Sequence, residues 1–226
     1  MSEEDLRRDT LLELKRELGT RLLSSEQVSP LPGLPTGWGH LDRHLLWHGI
    51  PKGALTLLVS EAGGATDLWI RTAAQVTQAG QWVAWVNDAD LLLTPWILRH
   101  RKVDLSKLLC VAQPRDEKQL LWALQELMSL SLFELVGCDL GELHLRESQV
   151  LKLKKMAMRY QTGLVLLTRA KSVHLSSFYS LILSFQKNHV IVNRSLHRPT
   201  PFTLERRDLY ADTLPLLAAG RRALCG

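Results

Sequence analysis

The stretch LTLLVSEAGGAT, from Leu55 to Thr66, decides the fold class, because an apolar strand that leads through a glycine-containing loop into a helix is typical of a phosphate-binding α/β core. In the pattern G-x-x-x-x-G-K-[ST], backbone N–H groups surround phosphate, the lysine contacts the terminal phosphates and the hydroxyl binds Mg²⁺. Only Gly64 and Thr66 remain here, since Val59 replaces the first glycine and Ala65 the lysine. The lost charge-assisted contact is worth about 1.5–3 kcal/mol. We therefore expect no nucleotide hydrolysis and no bound cofactor.

Length and composition predict one main domain with a sizeable core. The chain has 226 residues, of which 46% are hydrophobic, and a formal net charge of +5. That charge favours acidic partners such as nucleic acid, although ordinary proteins also carry it. Cys110, Cys138 and Cys225 form no C-x-x-C pair, which disfavours zinc and disulfides. With no signal peptide and no apolar run of about 20 residues, we expect a cytoplasmic protein without membrane contact.

The chain divides into four predicted segments. Residues 1–23 are predicted as an amphipathic helix and residues 24–36 as a proline-rich linker. Residues 37–212 form the main domain and residues 213–226 a tail. The leucines of the N-terminal helix need a surface to pack on, and two remain open, namely the chain's own core and a neighbouring subunit or partner. Self-association through this helix is therefore a hypothesis.

Short apolar runs alternate with helical patterns through the main domain. Strands that helices cover on both faces have this pattern, so we predict an α/β fold with a mostly parallel sheet. An antiparallel hairpin, Val190–Asn193 with Phe202–Glu205, is predicted at the sheet edge. The other predicted strands are Ala54–Val59, Trp82–Val86, Leu108–Ala112, Phe133–Val136 and Leu164–Thr168, and the predicted helices are Asp67–Ala79, Thr94–Arg101, Glu117–Leu130 and Leu145–Tyr160.

Three short motifs resemble the start of a RecA-type core. Thr36-Gly37, Leu41-Asp42 and the run GIPKGAL from Gly49 to Leu55 stand at the spacing with which that core leads into its loop strand. The run VDLSKLL, residues 103–109, is similar to a later segment of the same core, and the resemblance extends to Ala170. It implies a RecA-like core, with a twisted, mostly parallel sheet flanked by helices and an antiparallel C-terminal hairpin.

The resemblance also implies that the ATPase residues are missing. Ala65 stands for the phosphate lysine, Ala89 lies near the position of the water-activating glutamate, and Gly137 stands where a metal-associated aspartate would end its strand. A carboxylate shifted by one residue near a strand end points elsewhere, and catalysis tolerates little displacement. We therefore interpret the neighbouring acids as solvated loop residues: Asp88, Asp90 and Asp139.

Within RecA-like proteins, the sequence resembles the ImuA family of bacterial mutagenesis cassettes. The shared features are a loop without lysine, Gly137 and the late segment HVIVNR, residues 189–194, in a basic hairpin. The resemblance implies a non-hydrolytic scaffold in the SOS response and translesion synthesis. Its implied partners are an ImuB-like polymerase adaptor, an error-prone DnaE-type polymerase and RecA, and it would join the nucleoid when engaged. Two alternatives stay open, a SulA-like division inhibitor and an atypical RecA paralogue that binds Mg-ATP through Thr66 with Asp88 or Asp90.

Cationic side chains form the candidate binding surfaces for DNA or for an acidic partner. A solvated, merely solubilising role is the alternative for each of them. The candidates lie on the predicted helix Leu145–Tyr160, in the following loop and in the late hairpin: Lys152, Lys155, Arg159, Arg169, Lys171, Arg194, Arg198, Arg206 and Arg207.

Seven tryptophans against four phenylalanines indicate that some indoles lie at an interface. Trp82 and Trp85 are predicted in the core. Trp38, in a glycine-rich loop, and Trp47, beside His48, are predicted as accessible anchors for another protein. The histidines and cysteines have no metal-ligand spacing, so no metal site is predicted.

Overall fold

The computed structural model describes residues 33–60, 64–86, 93–111, 114, 116–141, 143, 145–169, 176–187, 189–195 and 202–205. The predicted N-terminal helix, the linker up to residue 32 and the tail lie outside these ranges. Among the described helices, none is long and apolar enough to cross a membrane.

Ten strands and five α-helices make up the described chain. The strands are β1 Gly33–Leu34, β2 Ile50–Pro51, β3 Leu55–Ser60, β4 Trp82–Val86, β5 Leu108–Val111, β6 Phe133–Asp139, β7 Gly163–Thr168, β8 Leu181–Phe185, β9 His189–Ser195 and β10 Phe202–Glu205. The helices are α1 Gly39–His44, α2 Ala65–Gln78, α3 Pro95–His100, α4 Glu117–Ser129 and α5 Glu147–Tyr160, and short 3₁₀ turns cover Leu105–Lys107 and Ser176–Phe178.

Eight of the strands form one sheet in the order β10-β9-β8-β3-β7-β6-β4-β5. The six strands from β8 to β5 in this order run parallel to one another. Strand β9 is antiparallel to both β8 and β10. The predicted α/β class is therefore confirmed, as is the antiparallel hairpin at the edge, where Phe202 stands opposite Val192.

Successive apolar residues of the strands point to opposite faces and so build two core layers. Leu58 joins the layer that contains α2, whereas its neighbours Leu57 and Val59 join the layer that contains α4 and α5. This two-sided burial explains why β3 is nearly continuously apolar, with a buried Thr56 among its leucines. Strand β5 is an exception, because it lies at the edge of the sheet and exposes Leu109 and Cys110.

The structure corrects two further predictions. Strand β8 was not predicted, although it lies inside the sheet beside β3, with Leu57 opposite Ile182. Residues 33–36, predicted as the end of the linker, belong to the core instead. Strand β1 pairs with β2, and Thr36 is completely buried.

The motifs that resemble a RecA-type core hold this first part of the chain together. The Thr36 hydroxyl donates to Asp42 Oδ1 at 2.7 Å, and the Thr36 backbone N–H donates to Oδ2 at 3.1 Å. Burial raises the pKa of Asp42, and the two hydrogen bonds from Thr36 oppose that shift. Leu41 beside it is fully buried. The Thr-Gly and Leu-Asp pairs therefore have a structural role, since they fix residues 36–42 against the sheet.

Candidate functional site

The site that the sequence points to lies between β3 and α2, at the carboxyl ends of the parallel strands, where open α/β sheets bind ligands. Strand β3 continues through Val59 to Ser60, and Val59 is paired with Thr168 on β7 and Ser184 on β8. The position of the first loop glycine is therefore part of the sheet. Gly64 keeps the left-handed conformation, with φ of 108°, at the residue that caps α2.

The residue at the position of the phosphate lysine, Ala65, is buried. Ala65 begins α2 with 1% of its surface exposed, inside the apolar core, whereas Thr66 is half-buried. In the same first turn, Asp67 accepts a bond from Arg71 Nε at 3.0 Å and pairs with Arg101 Nη2 at 2.7 Å. A carboxylate at a helix N-terminus takes up the favourable interaction that a phosphate would have there. The first turn of α2 thus carries a neutralised acid at position 67, and the buried Ala65 stands where a phosphate-binding loop carries a lysine.

Gly137 is not the residue that ends β6, so its predicted position in the site is wrong. The strand continues for two more residues to Asp139, which stands opposite Leu167 of β7. Gly137 instead makes room for two indoles. A Cβ atom on Gly137 would lie 2.1 Å from Trp69 Nε1 and 2.5 Å from Trp85 Cε3. The centroids of these two buried rings are 4.5 Å apart.

Asp139 is therefore the carboxylate at the carboxyl end of β6. Only 7% of its surface is exposed, which corrects its interpretation as a solvated loop acid. Its Oδ1 accepts the backbone N–H of Gly141 at 2.8 Å, and Arg169 N–H donates to the Gly141 carbonyl at 3.0 Å. Asp139 thus stabilises the turn after β6, which is tied to the end of β7. The other acids considered, Asp88 and Asp90, lie outside the described residues, as does Ala89.

Among the residues that the structure describes, no group of three or more His, Cys, Asp or Glu side chains is placed to hold a metal ion. Burial raises the pKa of the Cys138 thiol, and the neighbouring Asp139 carboxylate adds to that shift. A buried thiol with this shift is a poor nucleophile and a poor metal ligand.

The structure brings together three of the predicted cationic residues. Lys152, Lys155 and Arg159 are exposed along one face of α5, opposite its buried face. Arg169 is also exposed, but it follows the carboxyl end of β7, whereas Arg159 lies near the far end of α5. The backbone of Arg194 lies in β9, opposite Ile182. Arg198, Arg206, Arg207 and Lys171 lie outside the described residues.

The two tryptophans predicted as accessible anchors are buried. Trp38 has 1% of its surface exposed, with the Arg71 guanidinium 5.6 Å from its ring centroid, and Trp47 also lies in the core. Trp85 is in the core as predicted, whereas Trp82 is only partly buried. The exposed indoles are Trp96 and Trp122. The exposure of Trp122 could have been predicted from the sequence, because the apolar residues at helical spacing define the buried face of α4 and Trp122 lies on the opposite face.

The sheet order and the passage from β3 into α2 are consistent with a RecA-like core. The chain is 32% identical over 118 residues to RecA of Nautilia profundicola, a match that covers 52% of this chain and 33% of that protein. It is 30% identical over 133 residues to RecA of Clavibacter michiganensis, covering 57% of this chain and 36% of that protein, and equally identical to RecA of Leifsonia xyli. The matched region thus spans about a third of these relatives. No protein-family model matches the chain.

Proposed function

We propose that this chain is a non-hydrolytic, RecA-like accessory protein of the DNA-damage response, of the ImuA type, which supports translesion synthesis through contacts with other proteins. The proposal rests on one observation: the RecA-like arrangement of strands and helices is retained, whereas the phosphate-binding residues of the loop are not. The core strands and the helix after the loop are retained, while Ala65 is buried in the lysine position and Val59 is paired within the sheet.

Electrostatics supports the absence of nucleotide turnover. A triphosphate that approached the N-terminus of α2 would meet the Asp67 carboxylate and find no lysine at position 65. Preorganised cations supply most of the stabilisation in phosphoryl transfer, so their absence removes the main catalytic contribution. The remaining strand-end carboxylate, Asp139, accepts a hydrogen bond within its own turn.

The mechanism that we propose is recruitment. A scaffold that holds an ImuB-like adaptor, a DnaE-type polymerase or RecA near damaged DNA raises their effective concentration without any chemical step. The α4–α5 layer offers a suitable surface, because Trp122, Leu151 and Met158 are exposed there beside Lys152 and Lys155. Exposed aromatic and apolar residues with charged neighbours are typical of protein interfaces.

Auxiliary DNA binding in the bacterial cytoplasm is part of the same proposal. Lys152, Lys155 and Arg159 recur on α5 at i, i+3 and i+7, which gives a cationic line of about 10 Å. Such a line can follow a phosphate backbone, and affinity of that kind falls steeply with rising salt. The residues of the late hairpin would add to it.

Two measurements test the proposal. First, Mg-ATP is titrated calorimetrically into this chain and, as the positive control, into Nautilia profundicola RecA, with phosphate release followed in parallel. We expect binding and turnover for RecA alone. Micromolar binding with turnover in this chain would refute the non-hydrolytic role, and loss of that binding in Thr66→Ala together with Asp88→Asn or Asp90→Asn would identify the atypical ATP-binding function.

Second, purified ImuB-like adaptor, DnaE-type polymerase, RecA and the division GTPase are each passed over the immobilised chain. Capture of the adaptor, the polymerase or RecA is the expected result. Capture of the division GTPase alone would instead support the SulA-like function.

A further inference from the structure

The outer face of α3 carries the most exposed large apolar side chain of the described residues. Trp96 has 74% of its surface exposed. Its ring lies parallel to that of His100, with an interplanar angle of 4° and 5.6 Å between the centroids. The indole is thus supported by a second ring and still presents most of its surface to solvent.

Helix α3 is anchored in the core by its other face. Leu98 is buried, and Ile97 packs against the same cluster. The Thr94 hydroxyl accepts the Ile97 backbone N–H at 3.4 Å and so caps the helix. Trp96 lies two residues before Leu98, about 200° around the helix axis, which directs it away from the core. Its exposure therefore follows from how the helix is held.

Two exposed cationic residues follow Trp96 in this segment. Arg99 is exposed one helical turn after Trp96, and Lys102 is exposed at the end of the same segment. Neither forms an ion pair with another described residue. The nearby Arg101 is neutralised by Asp67, at 2.7 Å. The surface formed by Trp96, Arg99, His100 and Lys102, here named the Trp96 platform, combines a flat aromatic face with two available cations.

We propose that the Trp96 platform binds single-stranded nucleic acid by stacking an unpaired base on the Trp96 indole, while Arg99 and Lys102 contact the flanking phosphates. Stacking on an exposed aromatic ring beside cations is the general mode by which proteins hold single strands without sequence preference. The stack with His100 restrains the indole before binding, which lowers the entropic cost. Phosphate contacts alone would not need the aromatic ring. The site differs from the cationic residues of α5 and does not depend on the scaffold proposal.

The test measures fluorescence anisotropy of two labelled oligodeoxynucleotides of equal length, an oligothymidylate and an abasic strand. Both carry the same phosphates, and only the first offers bases. The full-length wild-type chain is compared with Trp96→Ala, Trp96→Phe and Leu130→Ala. Leu130 is the matched control, because it is also a large apolar side chain, is 62% exposed and follows α4, on the opposite face of the sheet. Circular dichroism confirms that each variant is folded.

We expect wild type to bind the oligothymidylate more tightly than the abasic strand. Trp96→Ala should weaken oligothymidylate binding at least about fivefold, which corresponds to the lower end of base stacking. It should leave abasic binding unchanged, Trp96→Phe should restore part of the loss, and Leu130→Ala should have no effect. The inference is overturned if wild type binds neither strand or binds both alike. It is also overturned if Trp96→Ala has no effect, or if Leu130→Ala weakens binding equally. A failed test would leave the Mg-ATP and partner-capture results of the scaffold proposal untouched.

Discussion

The packing around Gly137 predicts that Gly137→Ala strongly destabilises the fold. A new Cβ atom would lie 2.1 Å from Trp69 Nε1, whereas carbon atoms in contact are about 3.5–4.0 Å apart. The indole would therefore have to move by more than about 1 Å, and Trp85, at 2.5 Å, blocks the other side. Overpacking of a well-packed core costs about 1–3 kcal/mol. We expect the upper end, about 3 kcal/mol, because both rings are buried.

Urea denaturation followed by circular dichroism measures this change in the free energy of unfolding. Gly163→Ala is the matched control. Gly163 also lies in a buried parallel strand, but its Cβ would meet the flexible end of Leu34 at 3.1 Å, so we expect a cost below about 1 kcal/mol. Replacing Trp69 by leucine should reduce the cost of Gly137→Ala, because the nearest clashing atom is gone. Equal stabilities of the Gly137→Ala and Gly163→Ala variants would refute this account of the packing.

Four further predictions concern stability, pH and DNA. Thr36→Val should cost about 1.5 kcal/mol at neutral pH, since it removes a hydrogen bond to a carboxylate, and the cost should shrink in urea titrations at lower pH as Asp42 becomes protonated. Burial raises the pKa of Asp42 above its ordinary value of 3.8, so the folded state binds more protons at this carboxyl than the unfolded state does. Wild-type stability should therefore fall as the pH rises from 3.8 through the raised pKa of Asp42, and Asp42→Asn should remove this dependence. Asp67→Asn should lower stability by about 1 kcal/mol, and less in high salt, because two partly buried arginines lose their partner; an effect that does not change with salt would contradict the ion-pair assignment. Replacing Lys152 and Lys155 by glutamate should weaken DNA binding and flatten its salt dependence in anisotropy titrations, and an unchanged slope would reject a role for α5.

The sequence predicted correctly those parts of the fold in which burial requires a regular hydrophobic pattern. Strand β4 was predicted with its observed limits, because a short apolar run between two helical patterns is typical of a strand buried inside a parallel sheet. Strand β8 was missed, since its five residues follow a segment with little periodicity and only the partner strands reveal its place. Short strands of this kind depend on tertiary pairing more than on local pattern.

The errors in the site have separate causes. The strand from Phe133 was predicted only as far as Val136, and the resemblance placed Gly137 at the position of the strand-ending aspartate, although the structure continues the strand to Asp139. Trp38 was taken as exposed because glycines surround it, but glycine neighbours indicate a turn and carry no information on burial. The absence of a lysine at Ala65 needed no structure, because it concerns residue type rather than placement.

Trp69 and Trp85 fill the space that a side chain at Gly137 would occupy, so the three residues share one fixed volume. These positions cannot change independently. In related sequences with the same packing, a larger residue at position 137 should occur together with a smaller residue at position 69 or 85. The three positions should therefore covary although they lie on three different elements. An alignment of such sequences would show this triplet before any ligand is known.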